Sequence, residues 1–134
     1  MKQLTEEQFD ERDKMLEPYF CKDITGKDWF GGVRRFKGLT VDVLKTLVKK
    51  GYADPEEYQN SAPTTAEFIE FCEKHLEFRL HGYAVDRKRS DARISIEGIS
   101  THNLNTSIEN LLMFRFADDF YINTDEKEFY CWYD

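Results

Sequence analysis

Apolar positions recur at helical spacing through the first half of the chain and at strand spacing through the second. Leu4-Thr5-Glu6-Glu7-Gln8-Phe9 has the grammar of a helix start: Thr5 can cap, Gln8 can reach back, and Leu4 can staple against Phe9. This first helix runs to about Leu16 and ends at Pro18. Leu39-Thr40 followed by Val43, Leu44, Leu47 and Val48 predicts a second helix, with Gly51 as its left-handed C-terminal cap. Asp54-Pro55 allows a short helical turn, and Asn60 to Pro63 reads as a linker too short to separate domains. Thr64-Thr65-Ala66-Glu67 is a second capping box, opening a helix with Phe68, Ile69, Phe71, Cys72 and Leu76 on one face and Glu67, Glu70, Glu73 and Lys74 around the rest.

From Phe78 the period changes to two. Phe78, Leu80 and Ala84 alternate with Arg79, His81, Tyr83 and Val85, and Ala92, Ile94 and Ile96 alternate with Arg93, Ser95 and Glu97. The polar segment Asp86 to Asp91 joins the two runs into a β-hairpin. Thr106-Ser107-Ile108-Glu109 is a further capping box, and Ile108, Leu111 and Leu112 extend a fourth helix to about Phe116. Phe120, Tyr121 and Ile122, a polar turn from Thr124 to Lys127, and Phe129 to Tyr133 form a second, aromatic hairpin. Residues 20–38 hold Gly26, Gly31, Gly32 and Gly38 among Ile24, Trp29, Phe30, Val33 and Phe36, a pattern that fits either a short hairpin or an ordered loop. The expected architecture is one α+β domain over 1–134, with about four helices packed on an antiparallel sheet of about four strands made of two hairpins.

Composition narrows the class of function. The net charge of −7 argues against gross attraction to DNA or anionic lipid. That charge is blocked: residues 21–50 and 79–93 are net positive and the remaining segments net negative. Arg87, Lys88 and Arg89 at the first hairpin's tip are a candidate basic patch, although Asp86 and Asp91 bracket them and a charged tip is usually a solvated loop. No apolar run approaches the roughly 20 residues of a membrane helix, and the first residues lack the apolar stretch of a secretory signal, so a cytoplasmic setting is expected. Cys21, Cys72 and Cys131 are widely spaced among apolar neighbours and read as small buried hydrophobes of a reducing compartment.

Motifs that would carry chemistry are missing. Three helices followed by a basic-tipped hairpin is the element order of a winged-helix DNA binder, but the third helix presents Glu67, Glu70, Glu73 and Glu77 against Lys74, and duplex DNA is not expected. Cys72 and His75 stand one helical turn apart, yet no second pair supplies the four ligands of a structural zinc site. Thr25-Gly26-Lys27-Asp28 lacks the earlier glycine of a phosphate-binding loop. Asp118 and Asp119 are adjacent acids of the kind that cap or start a turn. Neither a cofactor nor an activity is expected on this evidence, and a hydrolase or transferase would need His81 or His102 beside a carboxylate in a pocket.

The least ordinary feature is aromatic. If Phe78, Leu80, Ile94, Ile96, Phe120, Ile122, Phe129 and Cys131 face the helices, strand geometry sends His81, Tyr83, Tyr121, Tyr130 and Trp132 to the opposite face. Such a face is either a partner surface or a second buried layer. With the Trp29-Phe30 segment it forms the candidate site, and the chain's acidity favours a protein partner or self-association over single-stranded nucleic acid.

Arg93-Ile94-Ser95-Ile96-Glu97-Gly98-Ile99, Phe116-Ala117-Asp118-Asp119-Phe120 and the closing Cys131-Trp132-Tyr133-Asp134 resemble small uncharacterised proteins of gut bacteria carried among mobile-element genes. The likeness covers the C-terminal half. It implies a bacterial cytoplasmic setting and an accessory role, and it transfers no catalytic residue, cofactor or activity.

Overall fold

The computed structural model describes residues 3–22, 29 and 31–134. Helix α1 (Glu6–Leu16) begins with the expected reciprocal cap, Thr5 accepting from the Gln8 amide while the Gln8 side chain accepts from the Thr5 amide. Helix α2 (Val41–Lys49) is capped by Thr40 and stops at Gly51, whose φ of 80° admits the left-handed turn. There the Tyr52 amide donates to the Leu47 carbonyl at 2.8 Å and the Gly51 amide to that of Val48 at 3.0 Å, the Schellman pairing. Helix α3 (Thr65–Lys74) carries the second capping box, between Thr64 and Glu67.

Five strands follow the order β1-β2-β3-β5-β4, and every neighbouring pair is antiparallel. They are β1 (Val33–Leu39), β2 (Arg79–Val85), β3 (Ile94–Thr101), β4 (Asp119–Asn123) and β5 (Glu128–Trp132). Among the described residues the expected count of about four is therefore corrected to five. The additional strand comes from the undecided segment 20–38, where β1 pairs with β2. Its outer edge is closed by the chain just before it: Phe20 bridges Phe36, and the Cys21 amide donates to the Arg35 carbonyl at 2.8 Å.

Helix α4 is shorter than its sequence suggests. It spans Ile108–Leu111 and tightens into a 3-10 turn over Leu112–Phe114, instead of continuing to about Phe116. Thr106, expected as its cap, donates its hydroxyl to Glu77 at 2.6 Å, and Ser107 takes the capping position with no side-chain bond to a backbone amide, its hydroxyl instead accepting from the Asn110 side chain at 3.1 Å. A tertiary contact has displaced the local one.

All four helices contribute to one buried layer against one side of the sheet. Its strand side chains are Phe36, Leu80, Ile94, Ile96, Ile99, Phe129 and Cys131, with Phe120 and Ile122 packed at its margin. Phenylalanine rings interlock at its centre: Phe71 meets Phe78 and Phe114 edge-on at 5.2 and 4.9 Å, and Phe129 meets Phe78 and Phe120 at 5.7 and 5.5 Å. Edge-to-face pairs of this kind add to the burial of large apolar area that holds the helices down. Among the described residues, no helix is long and apolar enough to cross a membrane.

Candidate interaction face

Strand alternation places the other set of side chains on the far side of the sheet. Arg35 of β1 pairs with Tyr83 of β2, Ser100 of β3 with Tyr130 of β5, and Tyr130 with Tyr121 of β4, so these residues share one face. His81 stacks its ring on Tyr130 with centroids 5.2 Å apart and planes 11° from parallel. Trp132 donates its Nε1–H to Glu97 at 3.2 Å. The five ring residues expected on this side are thus brought together. Tyr121 and Tyr130 keep 48% and 37% of their surface exposed, and His81, Tyr83 and Trp132 are half-buried.

A bulge organises the centre of the face. His81 pairs with Gly98 and Gly82 with Ile96, which leaves Glu97 as an extra residue on β3. The Glu97 side chain is only 2% exposed and ion-pairs with Arg35. Burial pushes its carboxyl up from the usual range, while the charge of Arg35 and the Trp132 and Arg35 hydrogen bonds draw it back. At Gly98 a Cβ would lie 1.9 Å from the Cys131 carbonyl oxygen and 2.7 Å from His81 Nε2, so strand and ring approach closely only because the residue is glycine. Burial lowers the His81 pKa to about 4, which keeps the imidazole neutral near pH 7. Tyr83 is clamped from two sides, by the guanidinium of Arg35 at 5.8 Å and that of Arg93 at 5.6 Å, and Arg93 donates to its hydroxyl at 3.0 Å.

Arg35, Arg93 and Glu97 were not singled out by sequence reasoning as part of this surface. The one available signal was Gly98 inside a strand pattern, which marks a bulge or a close backbone approach. These three residues, with Val33, Gln59, Tyr83, Val85, Arg89 and Asp134, line a shallow cleft of about 250 Å³ beside the rings.

The remaining candidates lie elsewhere. Trp29 packs edge-on against Phe20 at 5.9 Å and joins the helix-side core, so it is not part of the ring face. Phe30 and the Thr25-Gly26-Lys27-Asp28 turn lie outside the described residues. At the hairpin tip, Arg87 faces inward to helix α1, pairing with Glu6 at 2.9 Å, Asp10 at 2.7 Å and Asp13 at 3.1 Å. Those carboxylates hold its guanidinium firmly protonated. Arg89 chelates Asp91 with two parallel bonds of 2.9 and 2.7 Å, and Lys88 is exposed.

Chemistry of the remaining groups is subdued. Cys72 and Cys131 are buried and their thiols are pushed up to about 12 by desolvation, leaving little thiolate at neutral pH. His75 lies against Phe71 and within 3.1 Å of the Thr106 hydroxyl. Among the described residues, no three His, Cys, Asp or Glu side chains are grouped so as to hold a metal ion. His102 comes within 3.8 Å of Glu128, but on open surface. A second cleft, of about 310 Å³, runs between α1, Tyr52 and the β2–β3 tip; Arg12 and Asp91 on its walls are engaged with Asp13 and with Arg89 and Arg93. Comparison with family models, curated proteins and solved structures returns no match for this chain.

Proposed function

We propose that the protein is a non-enzymatic binding module that holds another protein across the ring face of its sheet, in the bacterial accessory role that the C-terminal resemblance implies. The observation that carries this reading is the pair Tyr121 and Tyr130, directly opposite each other and open to solvent on the side away from the helices. Tyrosine binds well at interfaces because it buries a large ring at small entropic cost and keeps a polar hydroxyl.

Charge favours protein over nucleic acid. A phosphate backbone is held by cations free to neutralise it. Here Arg35 is matched by Glu97, Arg89 and Arg93 by Asp91, and Arg87 by three carboxylates. A neutral protein surface, offering aliphatic side chains and peptide groups to the rings, fits this face better.

The test uses the Tyr121→Ala/Tyr130→Ala double variant. Both side chains reach solvent, but they pair across the strands and Tyr130 stacks on His81, so the variant should lose about 1–2 kcal/mol and remain folded, as circular dichroism would check. Immobilised parent protein is expected to retain a defined protein from its host extract, and the variant to lose it, with nuclease treatment making no difference. In parallel, fluorescence anisotropy with a labelled oligothymidylate at low salt should show no binding. Equal retention by the variant, or salt-sensitive binding of the oligonucleotide, would overturn the proposal.

A further inference from the structure

The two edges of this sheet are treated differently. The β1 edge is covered by Phe20 and Cys21. Among the described residues the β4 edge pairs with β5 alone, in a continuous five-residue register without the shifts that interrupt β1–β2 and β2–β3. An uncovered edge is a template for another strand, and proteins normally blunt it with Lys, Pro, a bulge or a covering segment. Asp119-Phe120-Tyr121-Ile122-Asn123 has no Lys, no Pro and no bulge, and its one charged side chain, Asp119, stands at the end of the strand.

We propose that β4 is a self-pairing edge, joining two copies of the chain antiparallel about a two-fold axis through Tyr121. The strand is complementary to itself in that register. Only pairing centred on Tyr121 engages all five residues, and it sets Asp119 opposite Asn123 of the second copy twice over. A carboxylate then meets an amide donor, and no like charges face each other. Phe120 falls opposite Ile122 on the helix side, so apolar meets apolar at the margin of the two cores. On the ring side Tyr121 meets Tyr121, extending the aromatic surface across the axis. The symmetry is the closed two-fold kind, which ends at a dimer. This inference does not depend on the ring face holding a separate partner.

The experiment is a charge swap read by sedimentation velocity over a range of concentrations. The Asn123 side-chain oxygen accepts from the Glu126 amide at 3.0 Å and its Nδ2 donates to the Tyr121 hydroxyl at 3.2 Å; a carboxylate can keep the first bond and accept from that hydroxyl in place of the second, so Asn123→Asp preserves the turn while setting two acid pairs across the axis. The parent is expected to dimerise. Asn123→Asp should weaken the dimer by roughly tenfold or more, since like charges directly opposite destabilise a strand pair. Asn123→Asp/Asp119→Asn should restore it, because the same amide and carboxylate face each other with positions exchanged. A parent that stays monomeric throughout would overturn the proposal, as would a dimer indifferent to Asn123→Asp or unrestored by the double change. A dimer that responds to the charge swap while the tyrosine variant keeps its partner, or a partner released by the tyrosine variant while the parent ignores the charge swap, separates this inference from the binding role of the ring face.

Discussion

At Gly98 the cost of one methyl group can be read from the geometry. The Cys131 carbonyl occupies the space a Cβ would need, and backbone there cannot step aside as a flexible side-chain end would. Gly98→Ala should therefore lower stability by about 1–3 kcal/mol, the usual range for forced overpacking, in urea unfolding followed by far-UV circular dichroism. An unchanged midpoint would remove the close approach as an explanation. His81 beside it makes a pH prediction. Its pKa is about 4 in the folded protein, below its ordinary value of 6.5, so between those values the unfolded chain binds a proton that the folded one refuses. Stability from this group is present above pH 6.5 and falls as the pH drops towards 4, by an amount on the order of 2–3 kcal/mol. Glu97, whose carboxyl is raised, works in the opposite direction as acid is added. Comparing the parent with His81→Phe isolates the histidine: the variant keeps an aromatic ring for the Tyr130 stack and should lose less stability between pH 7 and pH 4.5. Equal losses in the two proteins would refute it.

Elements differ in how far their own residues specify them. The starts of α1, α2 and α3 were legible because a cap is a local device: Thr5, Thr40 and Thr64 each bond to an amide three residues on. The helix-4 signal misled because Thr106 had a better partner in Glu77, 29 positions away and invisible to local pattern. Strand β1 was illegible for a related reason. Gly38 has a φ of 72°, and the register slips between Phe36 and Leu39, so its apolar positions do not alternate cleanly. Its identity comes from β2, which it meets only after the chain has made two helices. Tyr121, Tyr130 and Trp132 fall on one side of the sheet, as period-two spacing places them, because β4 and β5 alternate without interruption. The charged centre of that face was not legible, since the Glu97 bulge breaks the alternation on β3. One prediction belongs at this scale. Arg87 ties α1 to the β2–β3 tip beside the buried bond from Arg12 to the Val85 carbonyl, and Arg87→Ala should cost about 1–2 kcal/mol, most of it from the partly buried Asp13 contact rather than the exposed Glu6 and Asp10. Amide hydrogen exchange should accelerate in 6–16 and stay slow in the sheet; uniform acceleration would contradict a local tie.

For the whole molecule, the layering is one-sided. Helices are packed on one surface of a five-stranded sheet, and the other surface carries rings and matched charges. The blocked charge along the sequence becomes, on folding, a set of internal pairings: Lys45 with Glu73, Lys50 with Glu11, and Arg87 with the acids of α1. A reading of the sequence could find the basic blocks but not their partners, because those pairs join residues 28 to 81 positions apart. The Arg87 tie also carries a consequence for the timing of assembly. The carboxylates of α1 leave the ribosome 74 to 81 residues ahead of the guanidinium that secures them. Until the later hairpin closes, Glu6, Asp10 and Asp13 wait for that guanidinium, and Lys50 at the end of α2, through Glu11, is the earlier cation able to moor the helix.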